Sequence, residues 1–378
     1  MSLLSHFIKP VEGYYVSFRK CAWSRFVLVV VVLHKDRGWK GFFFKSGLDY
    51  CMKISMKNRR CFIKDVVLVS MSSYFGRAGF LMSMDNNKKF LVGCRDALLQ
   101  AVNSDEIWQS IRMVSAEGLE VEIDRELNCP NLKLSGKALN LSSAAGRKLF
   151  ADEFRRHGIR AFAFLTRTRV AVDSEVEIEY PIKVARVASE LEIPAIRIDL
   201  AQVQRGDVEE FFRDCVKFCQ KVCKGIKGLK VKLGVENHGM YTNDVDFLEK
   251  LFDAVGDDNL GLTLDTANFY WFGYPLNDLY SIYKKFSNRI VHTHCKNIAY
   301  PQEKRNVKRS IGWEYSKYSC AVDCGDINFV KVIQILASAN YSGALCLEDE
   351  SIGKVGLPDR ISTIKREIDY LRMVQSEG

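Results

Sequence analysis

From about residue 88 onward, short apolar segments alternate with amphipathic ones, and this alternation limits the available folds more than any other feature. Phe90–Cys94, Leu119–Ile123, Ala161–Leu165, Ala195–Leu200, Val231–Glu236, Gly261–Asp265, Arg289–His294 and Ala344–Glu348 read as strands. The intervening stretches carry helical spacing. Ile107, Ile111 and Val114 share one face behind Ser104 as N-cap, with Gly118 as the stop. Phe247, Leu248, Leu251, Phe252 and Val255 share another, capped by Asn243. Asn277–Phe286, Phe329–Ala339 and Arg360–Val374 complete the helical series, with some thirty residues of loop before Phe329. Eight strand–helix repeats in some 290 residues predict an α/β fold, a (β/α)8 barrel of ordinary size. An open doubly wound sheet would place a glycine-rich turn after its first strand, and none follows Phe90–Cys94.

In such a barrel the strands' C-terminal ends share one face, where active sites form. The last four strands end in Glu236, Asp265, His294 and Glu348. The first two steps are equal (265 − 236 = 29 and 294 − 265 = 29), and the third (348 − 294 = 54) is one unit plus the long loop. Each polar terminus follows an apolar strand, so burying it without partners is costly. Three carboxylates converging on one mouth repel one another and take up protons, a conflict that a divalent cation removes. Three oxygen donors and an imidazole suit Mn²⁺ first, and also accept Mg²⁺, Co²⁺, Zn²⁺ or Fe²⁺. His292 shares the strand with His294 at a period of two, so His294 is assigned to metal and His292 to a deeper hydrogen-bonded role.

Four motifs stand out: Val235-Glu236-Asn237-His238-Gly239, Leu264-Asp265-Thr266-Ala267-Asn268-Phe269, Val291-His292-Thr293-His294-Cys295-Lys296, and Gly325-Asp326-Ile327 followed by Leu347-Glu348. Together they resemble the xylose isomerase-like TIM-barrel superfamily. More narrowly, they resemble its sugar phosphate isomerase/epimerase proteins, a family that also holds endonuclease IV-type enzymes. The resemblance covers roughly residues 88–375 and is strongest after 230. It implies one divalent metal held by Glu236, Asp265, His294 and Glu348, a sugar-like substrate, and proton transfer by Glu236 and Glu348. Related ketose 3-epimerases carry Glu and Arg where this chain has Thr242 and Tyr300, and Asn297 stands where the family often has Asp.

His238 and Asn268 lie just beyond metal ligands, where they can bind substrate hydroxyls or cap their own loops. Lys296 can neutralise an enediolate or a phosphate, or remain a solvated surface lysine. Arg197, between Ile196 and Ile198, can reach substrate or form an ion pair with a neighbouring strand, for example with Glu122. Gly353-Lys354-Val355-Gly356 is too poor in glycine to define a phosphate loop, and Cys215, Cys219 and Cys223 read as helix packing.

The expected activity is a metal-dependent isomerase or epimerase on a sugar or sugar phosphate, moving a proton beside a metal-polarised carbonyl. A keto-inositol dehydratase-type lyase and a non-catalytic metal-binding barrel are the alternatives. An abasic-site nuclease needs a three-metal cluster with further His and Asp ligands. Beyond residue 90 only His157, His238, His292 and His294 are histidines, and Asn268 stands where that cluster has His.

The formal charge of +9 comes from 55 Lys+Arg and 46 Asp+Glu. Residues 1–90 hold 16 basic and 5 acidic residues, leaving 39 and 41 for the remainder, so the barrel carries no basic excess for nucleic acid. No apolar run reaches the ~18 residues of a membrane helix. Twelve cysteines at irregular spacing indicate reduced thiols and a cytoplasmic location, with homo-oligomers allowed. Residues 1–83 form a basic, poorly patterned extension before the barrel at 84–378, and Phe42–Phe44 has no obvious partner there. The extension is expected to be an over-extended start or a dispensable tail, since a chain from Met84 would have 378 − 83 = 295 residues; the alternative is a small domain that binds an acidic partner.

Overall fold

The computed structural model describes residues 6–7, 15–23, 26–35, 38–45, 89–100, 107–134, 136–200 and 207–376. The chain divides into two compact units, Met1–Ala78 and Gly79–Gly378. In the first, His6–Phe7, Tyr15–Trp23, Phe26–Lys35 and Gly38–Lys45 form an antiparallel sheet in sequence order. The run Phe42–Phe44, expected to lack a partner, pairs with Val29, Val30 and Val31. Two β-favouring runs separated by only two residues meet as neighbours. Met82, Met84 and Ser104 lie outside the described residues.

The second unit is the expected barrel. Its strands are β1 (Val92–Arg95), β2 (Gly118–Glu122), β3 (Arg160–Leu165), β4 (Ala195–Ile198), β5 (Lys232–Glu236), β6 (Leu260–Asp265), β7 (Ile290–His294) and β8 (Leu345–Leu347). All pair in parallel, with β8 beside β1. Cys295 N–H donates to Cys346 O and Glu348 N–H to Cys295 O, at 2.7 and 3.1 Å, which joins β7 to β8 and closes the ring. The longer helices are α1 (Ile107–Val114), α2 (Ala144–His157), α3 (Glu175–Glu190), α4 (Val208–Gly225), α5 (Val245–Val255), α6 (Leu276–Phe286), α7 (Phe329–Ser338) and α8 (Arg360–Met373), with short helical turns between them. A hairpin of Asn128–Leu134 and Lys137–Asn140, not foreseen in the sequence, precedes α2.

Two local expectations are corrected. Gly118 opens β2 instead of ending α1, which already stops at Val114; a Cβ at 118 would lie 2.4 Å from both Arg160 O and the Phe162 ring, so the position needs glycine for close packing. Asp244, not Asn243, caps α5 by accepting from Phe247 N–H at 2.9 Å. Asn243 is fully buried and its side chain donates to Gly239 O instead. The α5 stripe of Phe247, Leu248, Leu251, Phe252 and Val255 is buried as its spacing requires, each large side chain contributing about 1.5–3 kcal/mol. Cys215, Cys219 and Cys223 are likewise buried on α4.

Glu367 on α8 pins the loop before α7 by accepting from Val322 N–H at 2.9 Å, while its Oε2 is buried without a hydrogen bond. Burial, helped by the nearby Asp349 carboxylate, pushes the Glu367 carboxyl up to about 9. The folded chain therefore holds a proton that the unfolded chain releases above its ordinary value near 4.5. Stability from this group is complete below that value and declines as pH rises towards 9. Glu367→Gln keeps the acceptor and needs no proton, so it should raise stability at pH 8 by about 1–3 kcal/mol and leave it nearly unchanged at pH 4. Thermal unfolding at both pH values checks this.

Candidate functional site

Parallel strands that begin in register end at one rim, and the rim collects the side chains singled out by spacing. Glu236, Asp265 and His294 are the last residues of β5, β6 and β7, and Glu348 immediately follows β8. One donor atom from each lies within 4.8 Å of the others, and all four residues are buried. His294 Nδ1 is 2.8 Å from Glu236 Oε1 and 2.9 Å from Glu348 Oε2. Asp265 Oδ1 accepts from the N–H groups of Ala267 and Asn268 at 2.9 and 3.0 Å, so its other oxygen turns inward.

Cations surround this acidic cluster. Lys296 Nζ is 2.9 Å from both Asp265 Oδ2 and Glu348 Oε2, and 2.8 Å from Glu350 Oε1. Arg197 donates through Nε to Glu236 Oε2 at 2.7 Å, and Arg95 Nη1 pairs with Glu348 Oε1. Burial acts to raise Glu236 and Glu348, yet Arg197 and His294 pull the first below its ordinary range, and His294, Lys296 and Arg95 the second. Burial pushes Asp265 up to about 7 against the pull of Lys296. His294 is driven well above its ordinary range by Glu120, Glu348 and Glu236, although burial opposes this. A proton on His294 and the ammonium of Lys296 thus carry the positive charge that three carboxylates demand.

The donor set fits a divalent ion. Asp265 Oδ2 and Glu348 Oε2 are buried and make no directed hydrogen bond even though Lys296 is close. Two orphaned carboxylate oxygens beside a third carboxylate and an imidazole nitrogen are what an oxygen-rich cation site requires.

The secondary candidates divide. His238 stands at the mouth, half-exposed, with Nδ1 3.1 Å from Asp199 Oδ2. Asn268 is buried with its Nδ2 unpartnered, which leaves a donor beside Asp265. Lys296 is buried within the cluster and is no surface lysine. Arg197 makes its ion pairs with Glu236 and Asp199, whereas Glu122 binds Arg167 at 2.6 Å. Lys354 is tied to Ser319 O at 2.6 Å. His292 is buried with Nε2 3.2 Å from Glu120 Oε1.

The residues that depart from the ketose 3-epimerases have work of their own. Thr242 Oγ1 accepts from His238 N–H and donates to His238 O, closing that turn. Tyr300 is buried against Tyr270 and Tyr318, with Arg309 4.4 Å over its ring. The Asn297 side chain donates to Val322 O and Ile327 O and accepts from Ile327 N–H, stapling the long loop.

A cleft of about 200 Å³ opens between Arg95, Ala97, Leu98, Glu348, Asp349, Glu350 and Ile352. The larger cavity of about 290 Å³ borders Leu91, Glu117 and Arg160, at the strands' opposite ends and away from this chemistry. The sequence reading missed Glu120, Arg95, Asp199, Glu350 and Tyr315, whose hydroxyl donates to Glu350 at 2.6 Å. Of these, Glu120 and Asp199 left a local sign, a charge between the buried Leu119 and Val121 and between the buried Ile198 and Leu200.

Residues 116–374 match the sequence family described as xylose isomerase-like TIM barrel. An inosose dehydratase of Clostridium tetani is 28% identical over 179 residues, 45% of this chain and 56% of that relative. The chain therefore spans about half that relative's length. A xylose isomerase-like TIM barrel protein from Mycobacterium smegmatis, solved in complex with magnesium, superposes with a TM-score of 0.57 at 12% identity, covering 77% of this chain and 98% of its own. An L-ribulose 3-epimerase superposes with a TM-score of 0.53 at 15% identity, covering 76% and 95%. At such identities both structures establish the fold. Among the described residues no helix is long and apolar enough to cross a membrane.

Proposed function

Because the chain belongs to the xylose isomerase-like TIM-barrel family, we propose that it is a metal-dependent isomerase or epimerase that moves a proton beside the carbonyl of a sugar or sugar phosphate. The observation that carries this reading is the convergence of Glu236, Asp265, His294 and Glu348 on one buried centre with two orphaned carboxylate oxygens. A divalent ion held there, Mn²⁺ by the donor set, supplies Lewis acidity that polarises a substrate carbonyl and acidifies the adjacent C–H.

The chain's own groups do the rest. Glu348 borders the cleft and is the more exposed of the two glutamates, so it is the carboxylate a substrate meets first. His294, Lys296 and Arg95 keep it ionised and ready to take up a proton. Glu236, anchored by Arg197, exchanges the proton on the other side. Asn268 Nδ2 and His238 orient substrate hydroxyls.

The likeness to an inosose dehydratase favours one second reading, elimination of water from a keto-inositol. Lys296, buried between Asp265 and Glu348, is then the donor for the departing hydroxyl. One experiment separates the two. Metal-loaded protein is incubated in D₂O with ketoses, aldoses, their phosphates and keto-inositols. Deuterium at the carbon next to the carbonyl without loss of water supports the isomerase. Formation of an enone or dione supports the dehydratase. No exchange and no elimination with any substrate overturns both.

A further inference from the structure

Glu120 lies on β2, a strand that supplies none of the four donors above, and it is fully buried. Both of its carboxylate oxygens are 3.0 Å from His294 Nε2. The other ring nitrogen, Nδ1, faces Glu236 and Glu348 at 2.8 and 2.9 Å. The imidazole therefore stands between one carboxylate behind it and the acidic centre in front. A neutral imidazole has one N–H and one lone pair; when a cation is held by Glu236, Asp265 and Glu348, Nδ1 must offer its lone pair to that cation, and the remaining proton stays on Nε2, which faces Glu120.

We propose that Glu120 is a positioning residue that holds His294 as the Nε2–H tautomer, with its Nδ1 lone pair turned to the centre formed by Glu236, Asp265 and Glu348. This rests on the metal-centre reading of those residues. The carboxylate also makes Nδ1 a stronger donor, since charge that His294 gives up is compensated from behind. Arg95 Nε lies 3.3 Å from Glu120 Oε2, and His292 Nε2 lies 3.2 Å from Oε1, so the carboxylate is fixed from two further sides. Glu120, His292 and His294 are also close enough to hold a cation of their own. Arg95 already supplies a positive charge there, and a second ion would require His294 to bridge through both nitrogens. The geometry therefore favours a positioning carboxylate over a second metal site.

The test titrates metal-free full-length protein with Zn²⁺ by calorimetry and records ¹⁵N–¹H spectra of the histidines in the zinc-loaded state. Wild type should bind one Zn²⁺, with His294 ligating through Nδ1 and a slowly exchanging Nε2–H. Glu120→Gln keeps the volume and one acceptor oxygen, so it should stay folded while binding Zn²⁺ about 10–100-fold more weakly. Its Nε2–H resonance should also move. Glu120→Asp keeps the charge and should recover part of the affinity, and it serves as well if the Gln variant fails to fold. Glu122→Gln, two residues along the same strand and paired with Arg167, should bind as wild type does. Ligation through Nε2, two Zn²⁺ per wild-type chain, or undiminished affinity in Glu120→Gln overturns the assignment. If His294→Ala loses Zn²⁺ while Glu120→Gln binds normally, only the role of Glu120 falls. If wild type binds none, the metal centre falls with it.

Discussion

His294→Ala and Asp265→Asn are each expected to weaken divalent-metal binding by more than ~100-fold, beyond the loss typical of an outer-shell change. His294 contributes the one nitrogen donor, and Asp265 Oδ2 is a buried oxygen without a hydrogen bond. Wild type should take up one ion per chain. The carboxylates around His294 hold its proton well above the ordinary range, so metal must displace that proton. Asp265, pushed up to about 7, is also partly protonated there, so affinity should rise with pH through neutrality, and calorimetry in buffers of different ionisation enthalpy should register about one to two protons released per ion. Elemental analysis showing no metal, or three ions per chain, would contradict this centre. So would a pH-independent affinity.

Glu348→Gln is expected to lower the rate of deuterium exchange by about 10²–10⁴-fold at saturating metal. The amide fills the same volume but cannot take a proton, and it removes one of the two carboxylates paired with Arg95, leaving Glu120. Glu236→Gln should cause a loss of the same order and also weaken the anchoring of buried Arg197, which keeps Asp199 as its remaining charged partner. Saturating metal matters because each variant also alters a ligand. Circular dichroism should show the barrel intact in both. Full exchange in both variants would place the base elsewhere.

The barrel was legible in the sequence because its causes are local. Apolar runs of strand length and the stripe on α5 act over a few residues, and each leaves a mark at its own position. Once the repeat was clear, parallel strands could only deliver Glu236, Asp265, His294 and Glu348 to one rim. Identifying these four as candidates required no coordinates. What they touch was another matter. Arg95 meets Glu348 across 253 residues, Glu120 meets His294 across 174, and Arg197 takes Glu236 and Asp199 instead of Glu122.

Those pairings depend on how far the ring tilts, where β8 closes on β1 and β7, and which strand faces which across the interior. None of these quantities is written in any one segment. The same holds for Gly118, whose neighbour is the Phe162 ring on β3, and for Asn297, whose side chain staples the long loop. Hydrophobic periodicity is encoded residue by residue, so the sequence by itself determined the barrel's strands, its main helices and the rim. Ion pairing inside a barrel is settled only when all eight strands have closed, because only then are buried charges close enough to choose their partners.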